Sequence, residues 1–219
     1  IAGGCCNTAA GCHSSIVGGF KNTAAGDCSV VGGRCNTASS AGDAAGVVAG
    51  GSNTASGLSS FVGAGTDNTA SGNCGSVAVG GMSNISSGLS SFIGGGICNA
   101  AADKGTAIVG GHSNCASCKG TFVGGGFNNR AMSDFATVAG GQCNTSCGKW
   151  GAIGGGCGHD VQDCFATVGG GLCNCVSNYG TVGGGESNTA CGCCHSTIGG
   201  GKNNEATACE VTIAGGRGN

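Results

Sequence analysis

The chain has 219 residues, of which 8% are charged, with a formal net charge of −2, 52 glycines, 19 cysteines and no proline. Low charge combined with 39% hydrophobic residues excludes the composition of a disordered chain, and the near-neutral balance gives no electrostatic case for nucleic acid or an anionic membrane. No apolar run approaches the ~20 residues that span a bilayer, no signal peptide is visible, and glycine does not recur at every third residue, so collagen is excluded as well.

From Ile1 onward one motif, [IV]-[GAV]-[GA]-G-x-x-Asn, recurs about fifteen times. Its asparagines are Asn7, Asn22, Asn36, Asn53, Asn68, Asn84, Asn99, Asn114, Asn129, Asn144, Asn174, Asn188, Asn204 and Asn219, with His159 in the one remaining slot. A period near 15 residues held along a whole chain is the signature of a solenoid. The predicted coils start at Ile1, Ile16, Val30, Val47, Val62, Val77 or Ala78, Ile93, Ile108, Val123, Val138, Ile153, Val168, Val182, Ile198 and Ile213. Counted from that residue, position 9 is small or apolar: Ala9, Ala24, Ala38, Ala55, Ala70, Ala101, Ala116, Ala131, Val161, Val176, Ala190 and Ala206. Positions 1 and 9 are expected to line a bore too narrow for Leu or Phe.

The glycines after position 1 predict one bend, since glycine accepts positive φ and close backbone approach. A glycine at position 11 (Gly11, Gly26, Gly57, Gly72, Gly88, Gly148, Gly192) predicts the second. Each coil then supplies two short strands and two turns. Helix is disfavoured, because glycine costs ~1 kcal/mol per residue there. The expected fold is all-β, a single parallel solenoid over residues 1–219. Its roughly fourteen coils, stacked about 4.8 Å apart, make a rod on the order of 70 Å long. The motif is already running at Ile1 and still running at Asn219, so the chain is expected to be an internal or processed piece of a longer fibre protein. A coil this thin buries little apolar surface, so stability must come from neighbouring coils and from a symmetric oligomer.

The segments Ser59-Ser60-Phe61-Val62-Gly63-Ala64-Gly65-Thr66-Asp67-Asn68-Thr69-Ala70-Ser71-Gly72 and Ser90-Ser91-Phe92-Ile93-Gly94-Gly95-Gly96 resemble the YadA-like head repeats of trimeric autotransporter adhesins. Related repeats look like those of some phage and giant-virus fibre proteins. The resemblance covers essentially the whole chain. It implies a left-handed parallel β-roll, assembled as a homotrimer at the tip or shaft of a surface fibre. This chain is far richer in cysteine than the family pattern and contains neither its coiled-coil stalk nor its membrane anchor.

The asparagine column, including Asn22, Asn68, Asn99, Asn114, Asn129, Asn144, Asn174 and Asn204, is expected to be a structural ladder of stacked amides, with His159 a tolerated substitute. Asn84-Ile-Ser86 and Asn144-Thr-Ser146 are formal glycosylation sequons whose asparagines should be buried in that ladder and carry no glycan. The cysteine density favours an oxidising or exterior setting. Equivalent residues on neighbouring coils stand near 4.8 Å apart, within reach of a disulfide. The preferred pairs are Cys143–Cys157, Cys175–Cys191, and Cys193 or Cys194 with Cys209. A metal site is the sharper alternative, in Cys191-Gly-Cys193-Cys194-His195 and His112-x2-Cys115-x2-Cys118, but a structural zinc site needs four convergent ligands, so no metal and no cofactor are expected.

Phe135, Trp150, Phe165 and Tyr179 follow one another at spacings of 15, 15 and 14 and should stack into an aromatic strip. The strip is expected to be a subunit interface or brace, or a contact strip for a glycan or protein partner. Lys104, Lys119, Asp134 and Lys149 form a neighbouring charged column, expected to be solvated. His13, His112, His159 and His195 lie far apart, the period assembles no Ser/His/Asp set or carboxylate pair, and no enzyme is expected. The expected function is a non-enzymatic structural or adhesive segment of an extracellular or virion surface fibre, bound to a host-surface protein or glycan, with no nucleic acid partner and no membrane insertion. One alternative is an ice-binding solenoid. Thr8, Thr23, Thr37, Thr54 and Thr69 begin a ladder for it, but the column then reads Ile85, Ala100, Cys115, Arg130, Thr145, Asp160 and Cys175, and the charges argue against a flat water-ordering face. The other alternative is a filament subunit without a receptor.

Overall fold

The computed structural model describes residues 1–39, 44–192 and 194–219. The chain divides into two compact units, Ile1–Ser113 and Asn114–Asn219. Each is a parallel β-solenoid with no helix among the described residues. In the first unit the strands that follow each asparagine pair in sequence order: Thr8–Ala9, Thr23–Ala24, Thr37–Ala38, Thr54–Ala55, Thr69–Ala70, Ile85–Ser86 and Ala100–Ala101. This is the asparagine sheet. The strands ending at position 1 make a second parallel ladder, the valine sheet: Ser15–Ile16, Val30–Val31, Gly46–Val47, Phe61–Val62, Val77–Ala78, Phe92–Ile93 and Ala107–Ile108. The second unit repeats the plan, with asparagine-sheet strands from Cys115–Ala116 to Glu205–Ala206 and valine-sheet strands from Phe122–Val123 to Thr212–Ile213.

A third hydrogen-bonded side was not anticipated. Isolated parallel bridges link Phe20, Arg34, Gly51, Thr66, Met82 and Ile97 in the first unit, and Gln142, Cys157, Leu172, Glu186 and Lys202 in the second. Each coil is therefore tied to its neighbour on three sides rather than two. Few backbone groups are left to find water, which suits a chain without proline.

A two-residue strand turns one side chain in and one out. Position 9 forms one wall of the bore, as expected, with Ala24, Ala38, Ala55, Ala70, Ala101, Ala116, Ala131, Val161, Val176, Ala190 and Ala206 fully buried. Ala9 on the first coil is exposed. Ser86 and Ser146 fill the same column where the repeat offers no alanine. Position 1 needs a correction at one coil, where Val31, not Val30, faces inward; of Val77 and Ala78, both left open, Ala78 is the buried one. Two adjacent β-branched residues satisfy the pattern equally well, but a one-residue slip exchanges inside for outside. The residue two before position 1 makes a further buried column, with Ser29, Ser60, Ser76, Ser91 and Thr106 in the first unit and Thr121, Ala136, Ala166 and Ser196 in the second. Several of these hydroxyls turn back to the chain: Ser91 Oγ donates to the Gly88 carbonyl at 2.8 Å, and Thr106 Oγ1 to the Asp103 carbonyl at 2.8 Å.

The corners follow two rules. At position 4 the glycine has positive φ and no room. A Cβ on Gly65 (φ 96°) would run into the Gly81 carbonyl and stand 2.6 Å from Asn68 Nδ2. At position 11, glycine is required by space alone. Gly72 is not in the left-handed region, yet a Cβ there would meet the backbone of Gly88 on the next coil. The left-handed residue of that second corner lies two positions later and is not glycine in most coils: Cys28, Ser59, Cys74 and Ser90 in the first unit, Phe135, Trp150, Phe165 and Tyr179 in the second. This turns the chain while keeping its N–H in the stack, as when Trp150 donates to the Asp134 carbonyl at 3.0 Å and Phe165 to the Lys149 carbonyl at 2.9 Å.

Candidate functional site

Every asparagine of the predicted ladder from Asn22 to Asn204 is buried. Asn129 illustrates the bonding. Its N–H donates to Asn114 Oδ1 at 2.9 Å. Its Nδ2 donates to the Gly125 carbonyl of its own coil and the Gly141 carbonyl of the next, both at 2.8 Å. Its Oδ1 accepts from the N–H of Asn144 at 3.1 Å. The same set recurs at Asn22, Asn68, Asn144 and Asn204. Asn99 and Asn174 make the same pair of Nδ2 bonds, and the N–H of Asn174 donates to His159 Nδ1 instead of an amide oxygen. Asn114 donates to the Gly126 carbonyl at 3.0 Å. The ladder keeps its spacing where coil length varies: Asn36 to Asn53 spans 17 residues and Asn174 to Asn188 only 14, yet the linking bonds are 2.8 and 2.9 Å. Asn84 and Asn144 are fully enclosed, so neither sequon presents its amide to solvent.

His159 takes the asparagine slot. Its N–H donates to Asn144 Oδ1, and its Nδ1 accepts from the Asn174 N–H at 3.1 Å, which leaves the proton on Nε2. Nε2 stands where an asparagine Nδ2 would, beside the Gly171 carbonyl, but is buried without a hydrogen bond of good geometry. Burial holds the imidazole pKa below its ordinary value, against the opposing pull of the Gly171 and Asn174 backbone. A neutral histidine that hands on the ladder is a structural part.

The aromatic strip forms, and it is longer than the spacing indicated. Phe135, Trp150, Phe165 and Tyr179 stack with centroids 5.9, 4.7 and 5.2 Å apart and interplanar angles of 9°, 15° and 16°. His195 extends the stack, 5.2 Å beyond Tyr179. Its signal in the sequence was only the continued period. Lys149 Nζ lies 4.4 Å from the Trp150 centroid and Lys119 Nζ 5.6 Å from that of Phe135, so two of the lysines expected to be merely solvated cover the rings. Ring faces are thus occupied by neighbouring rings and lysines, and the exposed surface is mainly ring edges. Trp150 is 44% exposed.

The cysteines do not stack as expected. Cys143, Cys157, Cys175 and Cys191 are free thiols. Cys157 is the bridge partner of Gln142, so Cys143 sits one place out of its column. Cys175 is in register with Thr189, which puts Cys191 on a diagonal. Diagonal neighbours lie about 7–8 Å apart, beyond the usual disulfide span. The sulfurs of Cys175 and Cys191 nonetheless approach to 3.6 Å. Burial, reinforced by the Cys191 thiol, pushes the Cys175 pKa up to about 12. Cys194 is a free thiol and so is not the partner of Cys209, which is not free; Cys193, the other partner considered, lies outside the described residues. No three His, Cys, Asp or Glu side chains among the described residues converge in a metal-holding geometry. No helix among them is long and apolar enough to cross a membrane.

One surface was missed in the sequence. The outer side of the valine sheet in the first unit bears Val17, Val30, Val48, Phe61, Val79, Phe92 and Val109, all substantially exposed. The remaining outward positions of its strands and the residues that follow them are Ser15, Gly32, Gly46, Gly63, Val77, Gly94 and Ala107, so the face has no charge at all. The Phe61 and Phe92 rings lie against the Cβ sites of Gly63 and Gly94, each at 3.5 Å, giving alternate knobs and dips. The exposed residues read as ordinary strand valines, and only the inward-outward assignment sets them apart.

These features define a class: a cysteine-rich parallel β-solenoid with a repetitive interior and a variable exterior. The chain matches no protein-family model and no curated protein.

Proposed function

We propose that this chain is a non-enzymatic structural and adhesive segment of an extracellular or virion surface fibre, wound left-handed and assembled as a homotrimer. The observation that carries this reading is the uncharged outer side of the valine sheet in the first unit, with Val48, Phe61 and Val79 at its middle. A contiguous apolar patch of that kind marks an interaction surface. Its shallow knob-and-dip relief, repeated coil after coil, complements another copy of itself. The aromatic stack of the second unit supports an adhesive role at a separate place: its rings hold left-handed corners that Cys28, Ser59 and Ser90 make with small side chains. The fibre would meet a host-surface protein or glycan there through ring edges and lysines.

Sedimentation of the purified chain tests the assembly. Three copies are expected for the wild type, and single chains for Val79→Lys with an unchanged circular dichroism spectrum. A wild-type monomer at micromolar concentration would end the fibre reading. Glycan-array and cell-surface binding, compared between wild type and Trp150→Asn, test the adhesive half. A chain that binds nothing on either is a filament subunit without a receptor.

A further inference from the structure

The outer column of the asparagine sheet in the first unit holds threonine on its first five coils, before Ile85 and Ala100 follow. Thr8, Thr23, Thr37, Thr54 and Thr69 are consecutive register partners. Two residues further along, a second outward column reads Ala10, Ala25, Ser39, Ser56 and Ser71. Coils repeat about every 4.8 Å and alternate residues about every 6.6 Å, so the five threonines form a row that widens to a two-dimensional lattice of hydroxyls on the coils of Thr37, Thr54 and Thr69. None of them donates to or accepts from another described side chain or carbonyl. No charged residue stands in either column. Lys21 and Asp67 of these coils are corner residues with left-handed backbone. Arg130 and Asp160, which argued against such a face, belong to the second unit.

A hydroxyl both donates and accepts. A rigid, uncharged lattice of unpaired hydroxyls and threonine methyls therefore fits a partner that is itself flat, periodic and uncharged, and that supplies donors and acceptors together. A protein surface or a mobile glycan does not meet that description over five coils. Crystalline water does, and water already held in a lattice loses no further freedom on binding.

We propose that this face of the first unit, centred on Thr37 and Thr54, adsorbs to ice. The proposal stands apart from the fibre assignment, because it rests on a different face and is read by a different assay. Ice shaping and inhibition of recrystallisation are measured for the full chain, for Thr54→Lys, and for Thr189→Lys on the asparagine sheet of the second unit. Thr54 points outward while Ala55 lines the bore, so the first variant should melt with the wild type. If it does not, Ser56→Lys on the same face replaces it and is read the same way. Wild type and Thr189→Lys are expected to inhibit, and Thr54→Lys to lose the effect. A wild type that leaves ice growth unchanged overturns the proposal. So does a Thr54→Lys variant that keeps full activity, or a Thr189→Lys variant that loses it equally.

Discussion

At the scale of single residues, the interior is held by amide geometry more than by apolar bulk. Asn129→Ala would orphan the Gly125 carbonyl and the Asn144 N–H at once, and leave the Gly141 carbonyl with the Phe127 N–H alone. Each unsatisfied buried group costs about 1–3 kcal/mol, so a loss of at least ~2 kcal/mol is expected in denaturant unfolding. His159→Asn should act in the opposite direction, raising stability by about 1 kcal/mol through the Nε2 site, and it should also flatten the pH dependence. The imidazole pKa is lowered in the folded chain, so the unfolded chain takes up the proton first. Wild-type stability is therefore whole above the unfolded histidine value of about 6.5 and falls as pH drops from there through the lower folded value. Thermal melts between neutral pH and pH 4 would check it, with the variant losing less. The asparagine column was legible because a polar residue at a fixed period has one physical use in a narrow coil. The buried Ser29, Ser60 and Ser76 were not, because serine in a glycine-rich repeat reads as turn.

At the scale of the coil, corners decide what sequence can be read. A glycine at position 11 looks like a turn residue, yet Gly72 is there because the next coil leaves no space for a Cβ. Gly72→Ala should then be as disruptive as a mid-core error, whereas Ser59→Gly, at the left-handed corner, should be tolerated within ~1 kcal/mol. Chemical denaturation of the two variants separates space from φ. The aromatic strip was visible as a period, but its geometry was not, since bulky residues rarely take positive φ. Stacking offsets part of that strain, at about 0.5–1.5 kcal/mol per ring pair. Phe165→Asn removes two ring contacts but places a residue that accepts the left-handed region, so the expected net loss is small, about 1 kcal/mol. A clear change in Trp150 fluorescence should accompany it. The cysteines misled because period was equated with column. One-place and two-place offsets, as between Cys143 and Cys157 or Cys175 and Cys191, turn equal spacing into different neighbours. Mass-spectrometric alkylation at pH 8 should find exposed Cys12 and Cys164 labelled well before Cys175, whose raised pKa leaves little thiolate.

At the scale of the molecule, each unit is a stack in which a coil answers chiefly to its two neighbours. The parallel solenoid was legible because the motif returns at one period. The missing part was which residues face outward, and that alone separates a hydroxyl lattice on one face from an apolar one on another. Because the asparagine link from coil to coil stays near 3 Å whether a coil holds 14 or 17 residues, length variation is absorbed outside the ladder. The backbone therefore counts coils, not residues. Gain or loss of a whole coil by slippage in the gene is then expected to leave the ladder intact, so length becomes a quantity that heredity can adjust in equal steps.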